Sequence, residues 1–549
     1  MVPGYALALS VALIAPLLAP GYLLLRDAVS TPRSYLSDFA LGLGEAAPRA
    51  LPQDFFVAIT SAVLDGGVVV KALLVAGLWL AGWGAARLAA HVLDSGPAGE
   101  CVAVTVAVWN PYVAERLLQG HWSLLVGYGC LPWVATTMLR LRTSPSRGAV
   151  WALLFWIALA GLTPTGLLLA ATVALACVFA PGAGWPRWLC ATLSAAIAAL
   201  VALPWLVAAA VAGSLASSQA AGTSAFAARA EPGLGTLLSL AGLGGIWNGQ
   251  AVPDSRTTVF AAVATAVLLL VVALGVPVLI RRPVVVPLLV LAAVAVVVPA
   301  LMATGPGLTA VEATIRALPG VGVVRDAQKW VALAMPAYAL AAAAAVITLR
   351  RWLPAASTAL VCCAALIATQ PDLAWGVGGK VVAVQYPPGW ATVAAIINAD
   401  PRPVAVLPVD SMRQFGWAGE APVLDPLPRW VRADVLSTGD LNIGGQTVPG
   451  EGRRARQVQD MLLRGASRDE LAQAGVGWLV VESGTAPALS DLPVVHQDED
   501  LTLYRVGGDH QQASGRGLVV AAHLGWLAAL LAGLAGMTVT WARRVRQRR

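Results

Sequence analysis

The feature that most constrains this chain is a recurrence of apolar runs roughly 20 residues long, divided by short segments that carry Arg. About 20 apolar residues wound as a helix cross a hydrocarbon core of roughly 30 Å, and in lipid the backbone N–H and C=O groups must pair within the element itself. Such runs lie near 4–25, 68–90, 101–114, 122–139, 148–162, 165–181, 190–212, 258–280, 284–302, 331–349, 354–370 and 517–541. They predict an α-helical polytopic membrane protein of about 12 transmembrane helices. The run at 4–25 lacks a basic leading segment and a convincing cleavage site, so it reads as a retained first helix in preference to a cleaved signal peptide. The two runs around Thr163, Pro164 and Thr165 are short and can also form one kinked helix with a re-entrant piece. Alternating ten-residue segments, the mark of a membrane β-barrel, are absent. Composition closes off the soluble classes: 12% of the 549 residues are charged and 58% hydrophobic, whereas a soluble surface takes about 25% charged residues.

The distribution of Arg orients the runs. With a cytoplasmic N-terminus, Arg140, Arg142, Arg147, Arg187, Arg281, Arg282, Arg350 and Arg351 all fall in loops on the inner side. The tail residues Arg543, Arg544, Arg546, Arg548 and Arg549 join them, which is a positive-inside pattern. Both termini are then cytoplasmic and the protein sits in the plasma membrane. The net charge of +7 resides at helix ends and does not form a nucleic-acid face. All six Cys lie in or beside apolar runs, so neither a disulfide framework nor a zinc site is expected. Four longer segments fall outside: 26–67, 213–257, 303–330 and 371–516. The last contains strand-like stretches at 404–408, 476–482 and 501–506 and a helix-like stretch at about 453–474, the pattern of a small α/β domain. The expected organisation is a membrane module over 1–370, an extracytoplasmic α/β domain over 371–516, and a final helix with a basic tail over 517–549.

The span centres are almost free of charge, which argues against an ion-coupled transporter. Polar chemistry collects in the outer segments. In the first, Asp27 directly follows span one beside Arg26, positioned as a general base for a hydroxyl, with Asp38, Glu45 and Asp54 further along. The stretch WNPYVAERLLQGHW at 109–122 holds Glu115, Arg116, Gln119 and His121 on a short amphipathic segment; paired Glu115 and Arg116 on an interfacial anchor is its plainer reading. No second His or Asp stands at ligand spacing from His121, so no metal site is read, and a divalent-metal requirement stays open. In VVRDAQKW at 323–330, Arg325 and Lys329 lie four apart and, on a helix start, would share a face as a phosphate clamp. Pairing of Arg325 with Asp326 and snorkelling of Lys329 is the alternative. YPPGW at 386–390 offers aromatics that suit either a sugar surface or a rigid linker.

On Asp27, the 109–122 stretch with LLVGYGCLPW behind it, VVRDAQKW, and a C-terminal α/β region followed by a last helix, the chain resembles the GT-C superfamily of polytopic membrane glycosyltransferases. More narrowly it is similar to actinobacterial arabinofuranosyltransferase and mannosyltransferase relatives in cell wall biosynthesis and to YfhO-like membrane proteins. The resemblance implies transfer of a sugar from a polyprenyl-phosphate donor to a cell-envelope glycan or lipid on the outer face. Asp27 would be the catalytic base. Arg325 and Lys329 would neutralise the departing phosphate, and Glu115, Arg116 and His121 would bind or shape the sugar. That superfamily carries an acidic pair in the first outer loop, where this chain has Arg26 and Asp27 with no adjacent second acid. A non-catalytic scaffold in envelope biosynthesis, or a transporter of a lipid-linked sugar, are the alternatives.

Overall fold

The computed structural model describes the chain apart from residues 45–49, 213–221, 319, 410, 444–445, 451, 483–491, 510–512 and 548–549. Every expected apolar run carries a helix. Among the described residues, six helices are long and apolar enough to cross a membrane singly: Gly66–Val92, Trp122–Thr143, Arg187–Val211, Phe260–Ile280, Ala327–Leu349 and Arg516–Arg543. Two bent pairs raise the number to as many as eight: Val286–Met302 with Gly305–Ala317, at 93°, and Ala355–Ala368 with Pro371–Gly379, at 74°. Six to eight helices of spanning length thus stand where the sequence suggests about twelve. The shortfall comes from short apolar helices, among them Arg147–Ala160 and Pro164–Cys177. The first run shows the cause. Its helix, Val2–Ile14, gives way at Pro16 to a 3-10 turn, and beyond Pro20 and Gly21 the chain is the strand Tyr22–Leu25. Proline cannot donate to the helix ladder, so an apolar run that contains it need not continue as one helix.

Helix packing relies on small residues. At the crossing of Gly66–Val92 with Trp122–Thr143, a Cβ on Gly129 would lie 2.2 Å from the Gly77 carbonyl oxygen. Only glycine permits that approach, and in lipid such contact is what holds helices together. The helix ends sort into two groups. At one end Arg282 donates to the Val92 carbonyl and pairs with Asp94 at 3.6 Å, while Arg142 donates to the carbonyls of Ala180 and Trp185. At the other end Asp65 caps Gly66–Val92 and accepts from the Tyr22 hydroxyl at 2.9 Å.

On that second side stands a four-stranded sheet in the order Val494–Gln497, Thr502–Arg505, Trp478–Val481, Val404–Leu407. The last two strands are parallel, with Val404 opposite Trp478, and the other pairings are antiparallel. Both parallel strands are buried along their whole length, because each face is covered. Val404, Val406, Trp478 and Val480 pack on one side with Trp390, Phe415 and Trp430. Ala405, Leu407, Leu479 and Val481 pack on the other with Val458, Leu462 and Leu471. The helix-like stretch at 453–474 is two helices, Arg453–Leu463 and Arg468–Gln473, parted at left-handed Gly465 (φ 73°) and restarted by a Ser467–Glu470 capping box. Tyr386 and Trp390 of YPPGW belong to the aromatic core, with Trp390 against Phe415, Trp417 and Trp430.

Strand Tyr22–Leu25 pairs with Ala28–Val29 and with Ala383–Val384, and its side chains alternate between two cores. Leu24 and Val29 enter the sheet-side core, whereas Leu23, Leu25 and Ala28 enter the membrane-side core. The turn between these strands is Arg26 and Asp27.

Candidate functional site

Asp27 sits at the tip of a tight hairpin and not, as the sequence suggests, at a helix exit. Arg26 before it adopts φ 49°, a left-handed conformation that costs a non-glycine residue of order 1 kcal/mol. Contacts on three sides hold it there. Its amide donates to the Pro422 carbonyl at 2.9 Å and its carbonyl accepts from Leu424 at 2.9 Å. Its guanidinium, almost wholly buried, donates to the carbonyls of Leu118 at 2.6 Å and Gln250 at 2.7 Å. The Asp27 amide in turn donates to the Gln119 carbonyl at 3.2 Å. The Asp27 side chain stays 35% exposed.

The 109–122 stretch supplies its partners. Asn110 accepts from the Val113 amide at 3.1 Å and starts the helix Pro111–Leu118. That helix is buried at every position, in contrast to the interfacial segment its sequence suggests. Left-handed Gly120 (φ 84°) turns the chain so that Gln119 and His121 face Asp27. Gln119 Nε2 lies 3.1 Å and His121 Nε2 2.9 Å from Oδ2 of Asp27. Burial alone would raise the Asp27 carboxyl, but the contacts with His121 and Gln119 and the nearby Lys329 charge outweigh it and hold the group below its ordinary value. His121 is also shifted down: burial and the Lys329 and Arg116 cations outweigh the opposing pull of Asp27.

Behind His121 runs a chain of charge. Arg116 Nη1 is 3.1 Å from His121 Nδ1, and Arg116 grips Asp326 with two hydrogen bonds, at 2.7 and 2.9 Å. It also donates to Gln328 Oε1. Burial would raise Asp326, yet Arg116 and Lys329 hold it well below the carboxylate range. Glu115 does not pair with Arg116. Its two oxygens accept from the amides of Gly245 at 3.2 Å and Ile246 at 3.1 Å, and from Gln328 Nε2 at 3.0 Å. Burial, then the neighbouring Glu231 carboxylate, push Glu115 up to about 8. Glu231 itself is locked to Arg256, both fully buried.

Asp27, Glu115, Arg116, His121 and Lys329 therefore fall within one hydrogen-bonded and charged cluster. Glu115 and Arg116 have no exposed surface and touch Asp27 only through other side chains. Lys329 Nζ lies 3.6 Å from Asp326 and its side chain is 23% exposed. Arg325 stands apart, with its guanidinium 5.1 Å over the Phe226 ring. The shared helical face expected for Arg325 and Lys329 is not formed. The segment is two 3-10 turns, Val321–Val324 and Ala327–Ala334, broken at Asp326 where Arg116 draws its carboxylate inward. The other loop acids are committed elsewhere: Asp38 to Arg516, and Asp54 to Arg429 at 3.1 Å. Glu45 and Arg49 lie outside the described residues. Sequence reading passed over Asn248 and Gln250, which reach Gln119 and Arg26, and over the Glu231–Arg256 pair. Nothing in their local pattern marks them, since they join the site only across the fold. No group of three or more His, Cys, Asp or Glu placed to hold a metal ion occurs among the described residues.

No family model matches the chain, and no curated protein sequence does. Among solved structures, arabinofuranosyltransferase AftD from mycobacteria is similar, with a TM-score of 0.58 and 16% identity over 93% of this chain. The match covers 40% of the AftD chain. The likeness is one of fold alone: a multi-pass helical membrane protein with a small sheet region towards the C-terminus.

Proposed function

We propose that this protein is a membrane glycosyltransferase that moves a sugar from a polyprenyl-phosphate donor to a hydroxyl of a cell-envelope glycan or lipid on the outer face of the plasma membrane. The observation that carries the reading is Asp27: an ionised, partly exposed carboxylate on a rigid hairpin, in a GT-C-like fold, with the Lys329 cation close by. The acceptor oxygen attacks the anomeric carbon while Asp27 takes its proton. The bond from that carbon to the phosphate oxygen breaks, and the electron pair leaves with the phosphate. Lys329, and Arg325 if the donor brings it inward, neutralise the charge that builds there, so they act most strongly in the transition state.

A non-catalytic scaffold is the second reading. It is favoured by the commitment of Asp38 and Asp54 to ion pairs, which leaves Asp27 without a second acid from either. Reconstitution with radiolabelled polyprenyl-phosphate sugars and lipid-extract acceptors separates the two. Wild type transfers label, and Asp27→Asn lowers kcat by about 10²-fold or more, the range of general-base catalysis. Undiminished transfer by Asp27→Asn removes Asp27 as the base, and absence of transfer with every donor supports the scaffold.

A further inference from the structure

The hydrogen bonds around His121 determine which of its nitrogens carries the proton. A guanidinium can only donate, so His121 Nδ1, 3.1 Å from Arg116 Nη1, is an acceptor. An imidazole that accepts at Nδ1 is neutral and bears its hydrogen on Nε2, which then donates to Oδ2 of Asp27 at 2.9 Å. The Gln119 amide is oriented by the same logic. Its oxygen accepts from Asn248 Nδ2 at 2.8 Å, which turns its NH2 towards Oδ2 of Asp27 at 3.1 Å. One carboxylate oxygen thus receives two N–H groups, while Oδ1 has no hydrogen-bond partner among the described residues.

We propose that His121 is a positioning residue: its neutral, Nε2-protonated ring, locked by Arg116, fixes Asp27 so that Oδ1 alone is presented to the acceptor hydroxyl. The inference rests on the transferase reading for its catalytic consequence, though the tautomer stands by itself. No proton passes through His121. The hydroxyl proton goes to Oδ1, and His121 keeps its own hydrogen throughout. The charged groups that face the ring are Asp27 from the hairpin, Arg116 from the helix before it, and Asp326 and Lys329 from the segment across. Burial and the Lys329 and Arg116 cations outweigh the pull of the carboxylates and hold the ring neutral near pH 7. Acidification that protonates Nδ1 sets two donors against each other at Arg116 and releases the ring, so His121 contributes to the acid limb of the rate profile.

The test has two arms. In transfer assays on the full chain, His121→Ala lowers kcat about 10–100-fold, the equivalent of one lost hydrogen bond to a charged group, with little change in acceptor KM. His121→Gln places an amide N–H near Nε2 and cannot titrate. It retains kcat within several-fold at pH 7 and moves the acid limb down to that of Asp27. A His121→Ala variant that raises KM at full kcat, or a His121→Gln profile that coincides with wild type, overturns the proposal. The second arm needs no turnover. Nitrogen-15 spectra of histidine-labelled protein at pH 7, with the signal assigned by its loss in His121→Gln, show a neutral ring protonated at Nε2. An Nδ1–H ring or an imidazolium overturns the inference whatever the activity, whereas an inactive wild type with the expected tautomer counts against the transferase reading alone.

Discussion

At the scale of single residues, the site depends on charges that have no access to water. Arg116 is fully buried, and its charge is tolerated because Asp326 meets it with two hydrogen bonds. Removal of one partner from such a pair costs more than the pair contributes, because the survivor is left buried and unpaired. Asp326→Ala is therefore expected to destabilise the protein by about 3–5 kcal/mol. Thermal unfolding in detergent reads this directly, and an unchanged transition temperature would mean that Arg116 finds another partner. Most of these residues were visible in the sequence, since Asp27, Glu115, Arg116, His121 and Lys329 lie in its two polar outer stretches and first loop. Their pairing was not. Arg116 stands beside Glu115 in the chain but binds a carboxylate more than two hundred positions away, because adjacent residues on a helix do not face each other.

At the scale of elements, two turns carry Asp27. The Arg26–Asp27 hairpin and the Gly120 turn touch so closely that a Cβ on Gly120 would lie 2.3 Å from the Ala28 nitrogen and 2.4 Å from the Leu25 oxygen. Gly120 is also left-handed, at φ 84°. Gly120→Ala meets backbone on both counts and has to push the hairpin away from Gln119 and His121. We expect a stability loss of about 1–3 kcal/mol from the strained φ alone, and a larger proportional loss of transfer than of folded protein. Size-exclusion recovery compared with specific activity distinguishes the two, and equal losses would reduce Gly120 to a folding role. The strands at 404–408 and 476–482 were legible because buried strands read as continuous apolar runs between turn residues, and that at 501–506 because buried Leu501 and Leu503 alternate with less buried neighbours. The strand Tyr22–Leu25 was not, since it continues an apolar helix and only Pro16, Pro20 and Gly21 mark the change.

At the scale of the molecule, the outer segments are stitched to one another. Asp54 pairs with Arg429 and Asp38 with Arg516, and Leu24 and Val29 share a core with the sheet. From the partition of Arg we propose that this side lies outside the cell and the ends near Arg142 and Arg282 within the cytoplasm. That orientation is testable by introduced thiols, since the six native cysteines are buried or half-buried. Glu499→Cys, exposed on the sheet side, should react with a membrane-impermeant maleimide on intact cells, and Ser144→Cys, exposed at the opposite end, should react only after permeabilisation. Labelling in the reverse order would invert the topology.

The sequence by itself determined the class of the protein, the helical runs and the side on which polar chemistry gathers. Those properties follow from apolar length and from charge, which are read along the chain without knowledge of what touches what. Tertiary structure decided how many helices reach spanning length. It also decided that Asp27 rides on a hairpin, that Arg325 stays with Phe226, and that Arg116 serves Asp326 and His121. Each of these depends on hydrogen bonds and packing between segments far apart in the chain, where the nearest partner is chosen by geometry and burial and leaves no local pattern to read.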